Sequence, residues 1–335
     1  MFAEAAEAPA VVARQALRQQ AARTALAAAL RERPPRAVVT LARGSSDHAA
    51  TVARYLVETH LRLMTSSASP SAASVYDAAP DYDGTLMLAI SQSGKSPDLL
   101  AAAGMAKEGG ARLVALVNDE HSPLAAIADT CLPLDAGREL SVAATKSFIA
   151  SVAALLHLVA DWSEDAALLE ALTGLPALLD QAWALDWSAA LPVLSGANNL
   201  YVVGRGPGFG IAQEMALKIK ETCGFHAEAF SAAEVRHGPM AIVEKGFPVL
   251  LLGQDDESLE SVAGLAPEFA ERGALVISAG LPDAPGISLP ALKAHPALQP
   301  LLLVQSFYRL ANALAIARGR DPDRPPHLAK VTETV

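Results

Sequence analysis

The stretch LMLAISQSGKSPDLL, residues 86–100, decides how this chain can fold. Its apolar run, which ends at Ile90, is typical of a parallel strand that is buried on both faces. A polar turn follows the run. Pro97 is a favoured first residue of a helix, and Ser96 is then its N-cap. The stretch therefore predicts a strand, a serine-rich turn and a helix, which is the repeating unit of an α/β fold.

Parts of the chain are repeated at an offset of 162 residues. At this offset RAVVTLARGSS (36–46) aligns with NNLYVVGRGPG (198–208), LMLAISQSG (86–94) aligns with VLLLGQDD from 249 onward, and RLVALV (112–117) aligns with ALVISA (274–279). Three strand-like runs in one register favour an internal duplication over a chance likeness of apolar strands. The predicted fold class is α/β, with two tandem doubly wound parallel-sheet domains that bind ligands at the carboxyl ends of their strands.

The alternation of apolar runs and helical segments predicts the domain boundaries. We expect an N-terminal helical segment (1–29), a first domain with the serine-rich turn (30–162), a helical linker (163–189), a second domain (190–318) and a C-terminal tail (319–335). The tail is rich in proline and charge, and it is not expected to be helical.

Composition limits the class of protein. A length of 335 residues is enough for two domains with cores, and a net charge of −10 disfavours nucleic acid as a partner. Cys131 and Cys223 form neither a zinc pattern nor a disulfide framework, which fits a reducing cytosol. We expect no signal peptide and no membrane span, because the N-terminus lacks an uninterrupted apolar core and the later apolar segments contain charges or prolines.

The turn SQSGKS has the donors of an anion site. Ser91, Ser93 and Ser96 supply hydroxyls, Gly94 permits close approach of the backbone, and a helix N-terminus adds free amides and a positive dipole end. The spacing is not that of a nucleoside-triphosphate P-loop. Simple capping by Ser96 is the plainer alternative, but three serines with a glycine favour a phosphate cradle.

A second serine-rich turn, which contains Ser45 and Ser46, follows the first predicted strand. If the two strands are neighbours, both turns line one crevice. The duplicated segments GRGPG and QDDES have lost these hydroxyls. The second domain is therefore not expected to hold a phosphate in the equivalent place.

Charged residues are concentrated in ALKIKETCGFHAEAFSAAEVRHGP, residues 216–239. Lys218 and Glu221 share a helix face, and the helix is predicted to end before Gly224. A solvated, charged helix end is the plainer interpretation. The histidines and the HGP turn favour catalysis.

These motifs together resemble the sugar isomerase (SIS) family. The resemblance is to the isomerase half of glucosamine-6-phosphate synthase and to stand-alone glucosamine-6-phosphate deaminases. It rests on GSS (44–46), SQSGKS (91–96), ELSVAATKSF (139–148), KIKE (218–221), HAEAFSAAEVRHGP (226–239) and LAK (328–330).

The resemblance implies a role for each matching residue. Glu221 would move a proton between C2 and C1 of the sugar, His237 would assist ring opening, and Lys330 would close over the sugar, which implies an ordered tail. Lys218 would support the sugar and Glu221. The residues implied to bind substrate are Ser45, Ser46, Ser91, Gln92, Ser93 and Ser96 near the phosphate, and Val142 and Ala144 near the sugar hydroxyls. The resemblance also implies a homodimer with shared active sites, because His237 reaches the partner subunit in this family, and it implies neither metal nor organic cofactor.

The chain departs from the synthase pattern. Its sugar-binding half begins almost at Met1, so a glutaminase domain is not expected and synthesis is disfavoured. Lys95 stands where the synthase has an acidic residue, and SGKSP with VNDEHSPLA resembles the deaminase branch. The sequence thus predicts a cytosolic enzyme that converts glucosamine 6-phosphate to fructose 6-phosphate and ammonia.

Two further classes of protein stay open. One is a different enzyme on the same scaffold, namely a galactosamine-6-phosphate deaminase, a fructosamine-phosphate deglycase or a pure phosphosugar isomerase. The second is a non-catalytic phosphosugar-binding regulator. About 30 residues precede the first strand, which are too few for a helix-turn-helix domain, and the presence of Glu221, His237 and Lys330 favours turnover.

Overall fold

The computed structural model describes residues 1–78, 80–328 and 330. Its strands are β1 Ala37–Leu41, β2 Thr65–Ser67, β3 Thr85–Ser91, β4 Arg112–Val117, β5 Thr130–Pro133, β6 Tyr201–Gly204, β7 Glu228–Ser231, β8 Pro248–Leu252, β9 Leu275–Ala279 and β10 Ile287–Leu289. Its α-helices are α1 Phe2–Ala6, α2 Ala8–Glu32, α3 Ser45–Leu56, α4 Pro70–Ser74, α5 Pro97–Glu108, α6 Pro123–Ile127, α7 Lys146–Ser163, α8 Ala166–Thr173, α9 Leu175–Ala184, α10 Leu191–Ser195, α11 Pro207–Lys218, α12 Leu259–Ala263, α13 Leu265–Glu271 and α14 Gln299–Ala317. Short helices of other types are the π-helices Val57–Leu61 and Ile219–Cys223 and the 3-10 helices Ser188–Ala190, Glu234–Arg236 and Pro239–Ile242.

The chain divides into two compact units. What we call the first unit contains residues 10–139, 146–173 and Lys330, and the second unit contains residues 1–9, 140–145 and 174–328. The predicted linker is divided between them, with α8 in the first unit and α9 in the second. The predicted tail is not helical where it is described, and its residues 329 and 331–335 lie outside the described residues.

The two sheets have the same strand order. The first is β2-β1-β3-β4-β5, the second is β7-β6-β8-β9-β10, and each pairing within them is parallel. This order is one of the two common doubly wound arrangements. The predicted fold of two duplicated α/β domains is therefore confirmed.

The duplication extends to details of the backbone. Gly44 precedes α3 with φ 55° and ψ −132°, and Gly206 precedes α11 with φ 56° and ψ −138°. This region is one that residues with a Cβ rarely adopt. Each of these helices runs directly into a π-helix, Val57–Leu61 after α3 and Ile219–Cys223 after α11, again 162 residues apart. The repeat thus carries a matched irregularity that apolar periodicity could not reveal.

Buried apolar strands form the core of each unit. All seven residues of β3 are buried, as are all five of β8, which fits strands that are covered by helices on both faces. In the second unit, α14 is long and apolar enough to cross a membrane by length and composition alone, and 72% of its apolar window is buried inside the protein. It packs here as a core helix.

A buried polar cluster lies between α2 and α7 in the first unit. Arg23 Nε donates to Asp161 Oδ2 at 2.5 Å, and these side chains are 7% and 16% exposed. His157 is 9% exposed, and its Nε2 makes no hydrogen bond with any described residue. The pKa of His157 is lowered to about 4, chiefly by burial and also by Arg23, while Asp161 opposes the shift. His157 is therefore neutral in the folded protein at neutral pH.

This cluster predicts a stability that depends on pH. The unfolded chain protonates His157 near its ordinary pKa of 6.5, whereas the folded chain does so only near pH 4, so the free energy of unfolding must fall as the pH falls between these values. We expect His157 to account for a loss of about 2 kcal/mol between pH 7 and pH 5. His157→Leu should remove that part of the loss in urea unfolding at the two pH values. His121→Leu, at an exposed histidine, is the control. An unchanged pH dependence in His157→Leu would contradict the prediction.

Candidate active site

The serine-rich turns of the first unit lie at one edge of its sheet. Strands β1 and β3 are direct neighbours, with Leu41 opposite Ala89, so their carboxyl ends meet at the same edge. Ser45 begins α3 immediately after β1, and Ser91 ends β3 shortly before α5. Two helix N-termini and two sets of hydroxyls therefore point toward one edge, which is the usual ligand-binding edge of this fold.

Backbone amides organise the hydroxyls of the second turn. Ser91 Oγ accepts from the N–H of Gly94 at 3.0 Å, and Ser93 Oγ accepts from the N–H of Lys95 at 3.4 Å. A hydroxyl that accepts in this way still has its own proton to donate. Each of the two serines therefore retains a hydroxyl proton that it could donate to a ligand.

Ser96 occupies the N-cap of α5, as predicted, with Pro97 at the first helical position. Its half-buried hydroxyl makes no capping hydrogen bond, so its oxygen accepts from no amide of the first turn of the helix. Simple capping therefore does not account for this serine. Gln92 is also half-buried. Its backbone carbonyl accepts from the backbone N–H of Asn118 at 3.2 Å, and this bond fixes the turn to the end of β4.

An ion pair joins the two turns. Arg43, just after β1, donates from Nε and Nη2 to Asp98 Oδ2 at 3.0 and 2.9 Å, and the Asp98 side chain is 1% exposed in the first turn of α5. Nearby, burial raises the pKa of Asp47, in the first turn of α3, against the opposing effects of His48 and Arg43.

Gly94 permits a close contact between two segments of the first unit. Gly94 has φ +62°, and a Cβ there would overlap the hydroxyl of Ser122, the N-cap of α6. Lys95 Nζ lies 2.8 Å from Asp119 Oδ2. The segments SGKSP and VNDEHSP are thus in direct contact.

At the equivalent edge of the second unit, a side chain of the same unit occupies the helix N-terminus. Gln254 is 3% exposed, and its Oε1 accepts from the N–H of Gly208 in the first turn of α11 at 3.0 Å. Its Nε2 donates to Asp256. The side chain of Gln254 therefore caps the helix end that an anion would otherwise use, which supports the expectation that this edge holds no phosphate.

The second unit carries a buried ionic cluster instead. Lys218, the last residue of α11, is fully buried, and its ammonium is ion-paired with Glu221 and lies 3.5 Å from Glu214 Oε1. Glu214 is also fully buried and accepts from the Tyr308 hydroxyl of α14 at 3.2 Å. The side chain of Glu221 is 19% exposed. Of these two carboxylates, Glu221 is the one that a ligand can reach.

A π-helix presents Glu221. Residues Ile219–Cys223 form it, and Gly224 ends it in the left-handed conformation, with φ 67° and ψ 36°. This confirms the predicted end of the helix before Gly224. The left-handed conformation of Gly224 is one that favours glycine. Single-turn π-helices are frequent at functional sites.

The remaining predicted residues are placed as follows. His237 is exposed and follows the 3-10 helix Glu234–Arg236, and within the described residues no hydrogen bond or ion pair joins it to Glu221. Val142 and Ala144 are half-buried in a segment without regular structure. Lys330 Nζ lies 3.4 Å from Glu139 Oε2 in the first unit.

Sequence reasoning missed several polar residues that the fold brings to these positions. The side chain of Glu139 is fully buried, and it accepts from the hydroxyl of Ser147 at 2.6 Å. The two residues are eight positions apart in the chain. Glu214 lies one helical turn before Lys218, so helical spacing could have suggested it. Tyr308 lies 94 residues from Glu214, and no local pattern could have paired them.

Neither cysteine is suited to act as a nucleophile near neutral pH. Cys223, in the π-helix, is fully buried, and burial raises the pKa of its thiol to about 11. Burial also raises the pKa of Cys131. The thiolate is the reactive form, and it is scarce in both residues. Carboxylate and imidazole groups therefore remain as the candidates for proton transfer.

Comparisons with known proteins agree with the fold and with these motifs. The SIS domain family matches residues 33–160 and 193–279. A glutamine–fructose-6-phosphate aminotransferase (isomerizing) from Aeropyrum pernix is 37% identical over 310 residues, which are 86% of this chain and 49% of the relative. The chain thus spans about half the length of the curated relatives it matches.

Two solved structures cover nearly the whole chain. One is a protein from Silicibacter pomeroyi whose assignment as a phosphosugar isomerase is provisional, with 43% identity, a TM-score of 0.92, and 96% of this chain and 99% of that chain covered. The other is the C-terminal domain of glucosamine-fructose-6-phosphate aminotransferase from Francisella tularensis, with 27% identity, a TM-score of 0.86, and 96% and 97% covered. Because the family model matches segments in both halves of the chain, this protein belongs to the SIS domain family.

Proposed function

We propose that this protein is a cytosolic aminosugar-phosphate deaminase that converts glucosamine 6-phosphate to fructose 6-phosphate and ammonia. The observation that carries the proposal is the partly exposed carboxylate of Glu221, which is ion-paired with the buried ammonium of Lys218. A fixed carboxylate that a substrate can reach is the group that a 1,2-proton shuttle requires. The relatives at 37% and 27% identity are named for chemistry at fructose 6-phosphate, which supports a hexose phosphate as substrate.

The serine-rich turns of the first unit would hold the phosphate. The hydroxyl oxygens of Ser91 and Ser93 accept from backbone N–H groups, and their protons can be donated to a ligand. The hydroxyl of Ser96 makes no capping hydrogen bond. Ser45 and Ser46 begin α3. Gln92 belongs to the same turn. Val142 and Ala144 would approach the sugar hydroxyls, and Lys330 would close over the sugar.

Proton transfer would begin with ring opening, assisted by His237, since imidazole is the side chain that most often serves as a general acid or base in enzymes. Glu221 would then take the proton from C2 of the open-chain aldose and return it to C1. As the aldehyde oxygen at C1 gains a proton and the amine at C2 loses one, the product of this transfer is an imine at C2. Water adds to that carbon and ammonia leaves, which gives fructose 6-phosphate. Lys218 would hold Glu221 in place throughout, and no step calls for a metal or an organic cofactor.

The sequences of SGKSP and VNDEHSPLA favour a deaminase over a synthase. These two segments resemble the deaminase branch of the family, and the Lys95–Asp119 ion pair of 2.8 Å binds them together. The relative at 43% identity favours a pure phosphosugar isomerase as the second candidate. Incubation of the purified protein with glucosamine 6-phosphate separates the two, because only a deaminase releases ammonia in step with fructose 6-phosphate. Galactosamine 6-phosphate and a fructosamine phosphate, used as substrates in the same assay, test for a galactosamine-6-phosphate deaminase and for a deglycase.

The cradle is tested by removing two hydroxyls. Ser91→Ala combined with Ser93→Ala should raise KM for the phosphosugar by roughly 10²-fold, since each hydrogen bond to a charged group is worth about 1.5–3 kcal/mol. Ser66→Ala combined with Ser67→Ala, at two exposed positions on β2 of the same sheet, is the matched control. Initial-rate kinetics and a melting curve measure the effect. A KM within twofold of wild type in the first double variant would contradict the assignment.

The base is tested at Glu221. Glu221→Gln keeps the size of the side chain but cannot accept the proton, so turnover should fall by ~10²–10⁴-fold while phosphosugar binding survives. Glu234→Gln, at an exposed glutamate in the same stretch, should behave like wild type. In heavy water the wild-type product should carry deuterium at C1 unless the shuttle is well shielded. Near-wild-type turnover by Glu221→Gln would move the search for the base to Glu234 or His226.

We also propose a homodimer in which His237 serves the active site of the partner subunit. Glu221→Gln chains and His237→Ala chains are each expected to be inactive. If the sites are shared, mixing the two variants under conditions of subunit exchange should restore part of the activity. Exchange is followed with two differently tagged chains. Demonstrated exchange without recovered activity would place both residues in the site of one chain.

A further inference from the structure

Residues 140–145, which carry Val142 and Ala144, have neither helix nor strand to hold them. Burial alternates along this segment: Ser141, Ala143 and Thr145 are buried, and Val142 and Ala144 are half-buried. If the segment shifted by one residue, the buried residues would take the half-buried positions, and the half-buried residues would take the buried ones. Because the segment lacks the backbone bonds of regular structure, its amide groups need partners elsewhere in the chain.

Glu4 supplies those partners for two successive amides. Its carboxylate accepts from the N–H of Leu140 and from the N–H of Ser141, whose nitrogen lies 3.3 Å from Oε1 and 3.2 Å from Oε2. The next amide, that of Val142, donates to the carbonyl of Asp323 at 3.3 Å. Three consecutive amides of the segment are therefore bound by groups that are more than 100 residues away in the sequence.

Helix α1, which carries Glu4, is itself fixed within the second unit. The carbonyl of Ala5 accepts from Gln305 Nε2 of α14 at 3.0 Å, and Gln305 is fully buried. The ring of Phe2 packs on that of Trp183 with 4.8 Å between centroids. Glu4 is 9% exposed, and its Oε2 lies 3.6 Å from the N-terminal ammonium. The carboxylate thus has a fixed position before any ligand arrives.

We infer that Glu4 is a positioning residue for sugar recognition, an inference that rests on the proposed function of Val142 and Ala144. Hydrogen bonds from amides to a carboxylate are stronger than those to a neutral acceptor. If the segment is already held in its binding conformation, the sugar does not have to order it, and less conformational entropy is lost on binding. Glu4 does not itself contact the substrate in this scheme. It sets which residues of the segment face the ligand.

The test compares Glu4→Gln with Glu32→Gln, a change at an exposed glutamate at the end of α2. The oxygen of a carboxamide carries no charge, so it accepts more weakly from the two amides, and the NH₂ group faces the N–H of Ser141 where Oε2 accepts in the wild type. Hydrogen–deuterium exchange of the peptide covering residues 140–145 should become roughly tenfold faster in Glu4→Gln. Peptides of α14 should exchange as in wild type, which reports that the second unit is still folded.

Binding is measured in the same two variants with two probes. KM for the phosphosugar should rise roughly tenfold in Glu4→Gln with a much smaller change in kcat, while the inhibition constant of inorganic phosphate should stay unchanged, because the phosphate is assigned to the serine turns. Glu32→Gln should match wild type in both. Unchanged exchange of residues 140–145 overturns the inference, and so does faster exchange with an unchanged KM. A wild-type protein that binds no hexose 6-phosphate overturns the proposed function and with it the sugar-positioning role, whereas the exchange rates still report whether Glu4 holds the segment.

Discussion

The buried ammonium of Lys218 is the interaction on which the candidate active site depends. A charge of this kind is costly to remove from water unless carboxylates surround it, and removing one member of a buried pair typically costs about 3–5 kcal/mol. Glu214 meets this need from within the core, and Tyr308 in turn donates to Glu214. Glu221, whose side chain is partly exposed, neutralises the same ammonium from the solvent side. The requirement to neutralise Lys218 therefore also fixes the carboxylate that can reach a substrate.

One duplicated scaffold has been adapted in two ways. Both sheets have the same strand order, and glycines in the same unusual conformation, Gly44 and Gly206, precede the equivalent helices. In the first unit the edge beyond the strands carries serine hydroxyls in both turns. In the second unit Gln254 occupies the corresponding helix end, and the π-helix presents Glu221 where the first unit has Thr59 in its own π-helix. A backbone irregularity shared by both copies thus carries a candidate catalytic carboxylate in only one of them.

Much of this arrangement could be read from local patterns. Apolar runs of fixed spacing predicted the strands and the duplication, turn chemistry predicted the N-cap at Ser96, and the three-residue separation of Lys218 and Glu221 predicted their contact. The π-helices could not be foreseen, because the same residues would also suit an α-helix. Contacts between distant parts of the chain were likewise hidden. Tyr308 with Glu214 and Glu4 with Ser141 arise only when whole elements have packed.

The charge of the whole chain limits how the serine-rich edge of the first unit could hold a phosphate. With a net charge of −10, long-range attraction does not favour an anion, so binding must come from donors in direct contact. Arg43 and Lys95 are each paired with an aspartate, and their charge is already compensated. Hydroxyls and helix N-terminal amides are what remain to meet a phosphate there. Donors of this kind have fixed directions and act at short range. Such a site would select for the shape of a phosphate ester more than for negative charge in general.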